Sequence, residues 1–171
     1  MFRLIGAILV MGAAASFGLC NVWRMHKRVQ ALRGLITALE TMKSEICDRM
    51  SPLPELVDLL CQETAAPAKL LFLRLRHTMG ELGIRRFASL WSDAVRHSHE
   101  LELQEGERQI LSDLGGTLGR YDIENQRHAI SYTLRRLEAY LIQAEETRRT
   151  QGRVHAVLSL AAGAFVVLIL L

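Results

Sequence analysis

The chain has 171 residues, 50% of them hydrophobic, with 21 Lys and Arg against 18 Asp and Glu and three cysteines. That suits one packed domain with short appendages and excludes a disordered polar chain. Cys20, Cys47 and Cys61 form an odd set with no CxxC or Cys/His ligand spacing, which argues against a disulfide framework or a zinc site.

The first element is apolar. Leu4 to Leu19 carries no charged residue, and Arg24, Lys27, Arg28 and Arg33 follow it. A bilayer core takes roughly 17–25 apolar residues as a helix, and Lys and Arg accumulate on the cytoplasmic flank. Residues 1–22 therefore read as a transmembrane helix. A cleaved signal peptide is the competing reading, with Ala13-Ala14-Ala15 as the cleavage site. Against it, four basic residues would then have to cross the membrane. A lipoprotein at Cys20 fits poorly, because Leu19 is bulky where a small residue must precede the modified cysteine.

Residues 23–153 read as one cytoplasmic helical domain. Val29, Leu32, Ile36, Leu39, Met42 and Ile46 recur at helical spacing, running on from the first span. Ser51 is placed as N-cap of the next helix, with Pro52 in its first turn and Leu53, Leu56, Val57 and Leu60 on one face. A third helix restarts at Thr64-Ala65-Ala66-Pro67, turns Leu70, Leu71, Leu75 and Met79 inward, and ends at Gly80 and Gly83. Phe87, Leu90, Trp91, Ala94 and Val95 mark a fourth. Arg96 to Gly106 reads as an exposed polar loop. Ile110, Leu111, Leu114 and Leu118 mark a fifth helix, which Gly119 terminates. Asp122 caps a long sixth, with Ile123, Ile130, Leu134, Leu137, Leu141 and Ala144 inward. No interior segment alternates as a half-buried strand would.

The end of the chain mirrors its start. Arg148, Arg149 and Arg153 precede Ala156 to Leu171, again without a charge, so residues 154–171 read as a second transmembrane helix. The fold expected is all-α: a six-helix antiparallel bundle, its first and last helices continuing into two terminal spans. Setting aside Arg3 and the seven flanking basic residues leaves 13 Lys and Arg against 18 acids, an interior of net −5. The basic charge is thus assigned to the anionic membrane surface, and no nucleic-acid role follows from it.

Catalytic chemistry is not apparent. His97-Ser98-His99-Glu100 resembles a metal cluster, but residues two apart do not share a helix face. The glycines of Asp113 to Arg120 follow a helix rather than a strand and lack the Lys-Ser/Thr of a phosphate loop. No nucleophile has a base near it in sequence. No cofactor is expected. The basic pairs Arg85-Arg86 and Arg135-Arg136, with the Arg96–Gly106 loop, are the candidate partner contacts, since clustered charge steers association.

The run Leu114-Gly115-Gly116-Thr117-Leu118-Gly119-Arg120-Tyr121-Asp122-Ile123-Glu124-Asn125-Gln126, followed by Ile130, Thr133-Leu134 and Leu137-Glu138, resembles the stage III sporulation protein AB family of endospore-forming bacteria. Leu4-Ile5-Gly6-Ala7, the Ile36-to-Ile46 helix and Pro52-Leu53-Pro54-Glu55 are similar to it in order and spacing. The motif residues Gly115, Gly119, Asp122 and Gln126 carry the most specific part. Gly116 departs by adding a second adjacent glycine, and the terminal spans are short.

The resemblance implies a non-enzymatic membrane platform, similar to the cytoplasmic domains of the type II secretion F protein. It would belong to a secretion-like channel complex between mother cell and forespore. Its implied partners are a cytosolic secretion-type ATPase (stage III sporulation protein AA), other membrane subunits of that complex and the bilayer; homo-oligomerisation is left open. The implied location is the mother-cell membrane facing the forespore. The alternative is a small membrane-anchored regulator or transport accessory unrelated to sporulation.

Overall fold

The computed structural model describes the backbone of residues 2–119 and 122–170 and the side chains of 22–119 and 122–150. Six α-helices form it: α1 (Phe2–Cys47), α2 (Leu53–Glu63), α3 (Lys69–Thr78), α4 (Phe87–His97), α5 (Glu105–Thr117) and α6 (Ile123–Leu170). Short 3-10 turns follow α3 at Met79–Glu81 and α4 at His99–Leu101. Among the described residues there is no strand, only an isolated bridge between Leu82 and Arg85. None of the helices, over the described residues, is long and apolar enough to cross a membrane; the expected spans at 1–22 and 154–171 lie outside the described side chains.

The two long helices form the spine. α1 packs along α6 in antiparallel register: His26, Arg33, Cys47 and Asp48 meet Arg148, Glu145, Ile123 and Arg127 in turn. α5 lies antiparallel to α6, with Gly119 beside Gln126 and Gly106 beside Tyr140. α4 lies antiparallel to α5, with Ser92 on Ser112 and Arg108 reaching the Arg96 carbonyl. The bundle consequently has two poles. Residues 22 and 150 leave from one. The α1–α2 and α5–α6 connections lie at the other.

The core follows from the helical periodicity. Val29, Leu32, Leu35, Leu39 and Met42 of α1 are buried, as are Leu56, Val57 and Leu60 of α2. Phe87, Leu90, Trp91, Ala94 and Val95 of α4 meet Leu111 and Leu114 of α5 and Ile130, Leu134 and Leu137 of α6 in one cluster. Phe72, Trp91 and Phe87 stack at tilted angles, with ring centroids 6.4 and 6.1 Å apart. Such pairs add to the burial of apolar area, the main stabilising term.

Several local expectations are corrected. The N-cap of α2 is Pro52, not Ser51. The Ser51 hydroxyl instead donates to the buried Glu45 at 2.6 Å, a charged acceptor that holds it off the helix end. In α3, which begins only at Lys69, Leu70 faces outward and Phe72 inward, because packing of Phe72 against Trp91 of α4 sets the rotation of the helix. The Arg96–Gly106 loop is not simply exposed. Ser98, Leu101 and Leu103 are buried within it, and the Ser98 hydroxyl donates to the Ala94 carbonyl at 2.8 Å while accepting from Arg74.

Candidate functional site

The glycine run from Gly115 to Gly119 builds the corner between α5 and α6. Gly115 is the point of closest approach. A methyl group there would lie 2.7 Å from Cγ of Trp91, so only a glycine lets the indole approach α5 this closely. The Trp91 Nε1–H donates to the Leu111 carbonyl at 2.5 Å, which fixes the ring. Gly119 does not share the α5 face with Gly115. The helix is already left at Leu118, whose backbone is extended, and Gly119 follows with φ +73, a left-handed conformation that turns the chain toward α6.

Gly119 then donates its N–H to Oε1 of Gln126 at 3.1 Å. Asp122 sits one residue ahead of α6, accepts the Gln126 N–H on its carbonyl at 3.1 Å, and accepts the Asn125 amide on its carboxylate. Gly119, Asp122 and Gln126 are thus joined by hydrogen bonds at the corner, while Gly115 packs apart from them against Trp91.

The candidate contact arginines differ from one another. Arg85 is held within the fold: its guanidinium donates to Glu81 at 3.1 Å, to Ser89 at 2.8 Å and to Asp93. Arg86 is exposed, with no ion-pair partner among the described residues. Arg135 and Arg136 are exposed on the outer face of α6, and Arg136 lies over the Tyr140 ring at 5.6 Å.

The basic flank of the first apolar run is largely committed to the bundle, which corrects its assignment to the membrane surface alone. Arg24 pairs with Glu102 at 2.9 Å, Arg28 with Glu107 at 2.6 Å and Arg33 with Glu145 at 2.6 Å. Lys27 lies 3.8 Å over the ring of Trp23. These arginines therefore neutralise part of the acidic excess of the interior. Glu107 stands out only in the fold, where it is 0% exposed. It accepts the Gln104 N–H at 2.7 Å in a capping box that starts α5. Its signal in the sequence is weak, because the usual capping box opens on Ser or Thr and here the N-cap is Gln104.

Among the described residues no group of three His, Cys, Asp or Glu could hold a metal ion. The His97–Glu100 stretch is dispersed: His97 bonds the Asp93 carbonyl, His99 meets Arg108 at 3.5 Å, and Glu100 pairs with Arg74 at 2.8 Å. Cys47 and Cys61 are both buried free thiols. Burial pushes both up, against a lesser opposing effect of Arg127 on Cys47 and of Arg76 on Cys61.

Two open surfaces stand out among the described residues. A shallow hollow between α5 and α6 is lined by Ile110, Asp113, Thr117, Tyr132 and Thr133. A larger groove of 650 Å³ lies between the α3–α4 connection, Leu53 and the end of α5. Ile84, in that connection, is 90% exposed. Nothing in the sequence pattern marks it, since the residue lies outside every helical stripe.

The family model of stage III sporulation protein AB matches residues 3–171. Stage III sporulation protein AB of Bacillus subtilis (strain 168) is 25% identical over 172 residues, covering 100% of both chains. A solved structure of stage III sporulation protein AB superposes with a TM-score of 0.67 at 26% identity, over 72% of this chain and 98% of that one. These matches carry a role in sporulation. On the strength of the family model's coverage, the chain belongs to the stage III sporulation protein AB family.

Proposed function

We propose that this protein is a non-enzymatic platform. Two apolar termini would anchor the bundle in the mother-cell membrane facing the forespore, and the bundle would dock a cytosolic secretion-type ATPase within a channel complex. The observation that carries the reading is the antiparallel α1–α6 pair. It brings residues 22 and 150 to one pole, so apolar runs continuing outward would enter a bilayer side by side as a hairpin. The rest of the bundle projects away from that pole, where a soluble partner can reach it.

A platform works by binding, and its exposed basic residues are suited to steering an acidic partner. Arg86, Arg135 and Arg136 are the candidates that remain exposed. The alternative of a regulator unrelated to sporulation is set aside by the family. The test uses the purified full chain in lipid nanodiscs and a stage III sporulation protein AA, the ATPase that the family resemblance implies. Saturable, salt-sensitive binding is expected. Absence of binding at any salt, or ATP hydrolysis by this chain alone, would sink the reading.

A further inference from the structure

We infer that the groove at the pole away from the chain ends is the docking site for a protein segment with an apolar edge and a flanking carboxylate. This deepens the platform reading and rests on it for the direction in which the groove faces.

The lining is distinctive. Leu53, Leu82, Ile84, Phe87 and Leu118 supply apolar surface, Arg85 and Arg86 supply charge, and among the described residues no acid lines the groove. Leu82 and Ile84 are both exposed large apolar residues. Single exposed apolar side chains are ordinary, but two on the rim of an apolar groove form a patch of the kind that marks an interaction surface. The rim is built to be there. Gly83, between them, has φ +105, and the Ile84 and Arg85 N–H groups both bond the Glu81 carbonyl, at 3.0 and 2.9 Å. Arg85 ties the segment down through Glu81, Ser89 and Asp93. The rim is thus preorganised, which lowers the ordering cost of binding.

Charge selects the occupant. Arg85 is already compensated by Glu81 and Asp93, so among the described lining residues Arg86 is the cation left to receive a carboxylate. Position excludes this chain's own ends, since residues 22 and 150 leave from the opposite pole. A second copy also fits poorly. Copies anchored through that opposite pole stand side by side with their grooves pointing the same way, whereas a two-fold contact needs the patches to face each other.

The test places the full chain in lipid nanodiscs and titrates the purified ATPase against wild type, Ile84→Asp, Arg86→Glu and, as a control on α6, Ile142→Asp. Both groove positions are exposed, so the variants should fold, and unchanged circular dichroism checks this. Binding is expected to weaken about tenfold or more at each groove position, as for a hot spot, and to change less than about twofold for Ile142→Asp. ATPase binding that the groove variants leave intact would overturn the groove while sparing the platform. If the ATPase does not bind wild type, a photocrosslinker at position 84 in sporulating cells decides. An adduct with an identified soluble protein, lost on Arg86→Glu and retained on Arg86→Lys, supports the groove. An adduct only with another copy or with lipid, or no adduct, overturns it.

Discussion

Arg28 and Glu107 are 79 residues apart in sequence, yet their guanidinium and carboxylate meet at 2.6 Å across the α1–α5 contact, with 11% and 0% of the side chains exposed. One carboxylate thereby completes the capping box of α5 and receives the charge of α1. Removing only the arginine would strand a buried anion, which costs about 3–5 kcal/mol, whereas neutralising both partners costs much less. In the full chain, Arg28→Met should therefore lower the thermal midpoint far more than Arg28→Met with Glu107→Gln. With Glu107→Gln alone completing the double-mutant cycle, single-variant losses that simply add in the double variant would show that the pair is not coupled.

Gly115 and Gly116 make a contrasting pair. A methyl group on the first would abut Trp91, whereas one on the second would have nothing within 4 Å. Gly115→Ala should destabilise by about 1–3 kcal/mol through overpacking against the indole. Gly116→Ala, in an open helical turn, should be neutral or stabilise by up to about 1 kcal/mol. Chemical denaturation of the two variants separates them; similar midpoints would contradict the close approach at Gly115.

At the α5–α6 corner, Gly119→Ala meets both a left-handed φ of +73 and Leu53 Cδ1 at 3.0 Å. Gln126→Ala removes the acceptor of the Gly119 N–H. Each should cost about 1–2 kcal/mol. Because both act on one turn, their effects should be less than additive in a double variant, and strict additivity would separate the two roles.

Cys47 and Cys61 are buried and their thiols are pushed up by burial, so few are thiolate at neutral pH. Both should react with a maleimide slowly in the folded chain and promptly in denaturant. Rapid labelling without denaturant would contradict this packing. A topology test accordingly needs an exposed site: with the native cysteines replaced, Gln62→Cys should react with an impermeant reagent only after cell lysis. Labelling of intact cells would place the bundle outside the cytoplasm.

Burial pushes the Glu100 carboxyl up, but its own backbone N–H, the Arg74 guanidinium and the His99 charge outweigh burial and hold it below the ordinary carboxylate range. A carboxylate depressed in the folded state contributes stability that is complete above its unfolded value and is lost as pH falls through the folded one. Below about pH 4.3, the unfolded value for glutamate, the thermal midpoint should fall. Arg74→Gln should make that fall shallower than in wild type, and parallel curves would count against the Arg74 contribution.

Local sequence determined the helices. Apolar residues three and four apart placed α1, α4, α5 and α6, and the Gly119 turn and the Asp122 start were readable because turn geometry depends on neighbouring residues. The role of Gly115 was readable only as a small residue on a helix face. That its neighbour is the Trp91 indole required the α4–α5 packing.

Tertiary structure decided which charges meet. Arg24, Arg28 and Arg33 look in sequence like a membrane flank, yet they find Glu102, Glu107 and Glu145 on distant elements. Those pairings depend on the rotation and axial register of α1 against α5 and α6, which no local period encodes. The same holds for the inward turn of Phe72 and the groove at Ile84. Periodicity shows that a helix has an apolar face, but only packing against neighbours fixes where that face ends and which apolar residues stay uncovered.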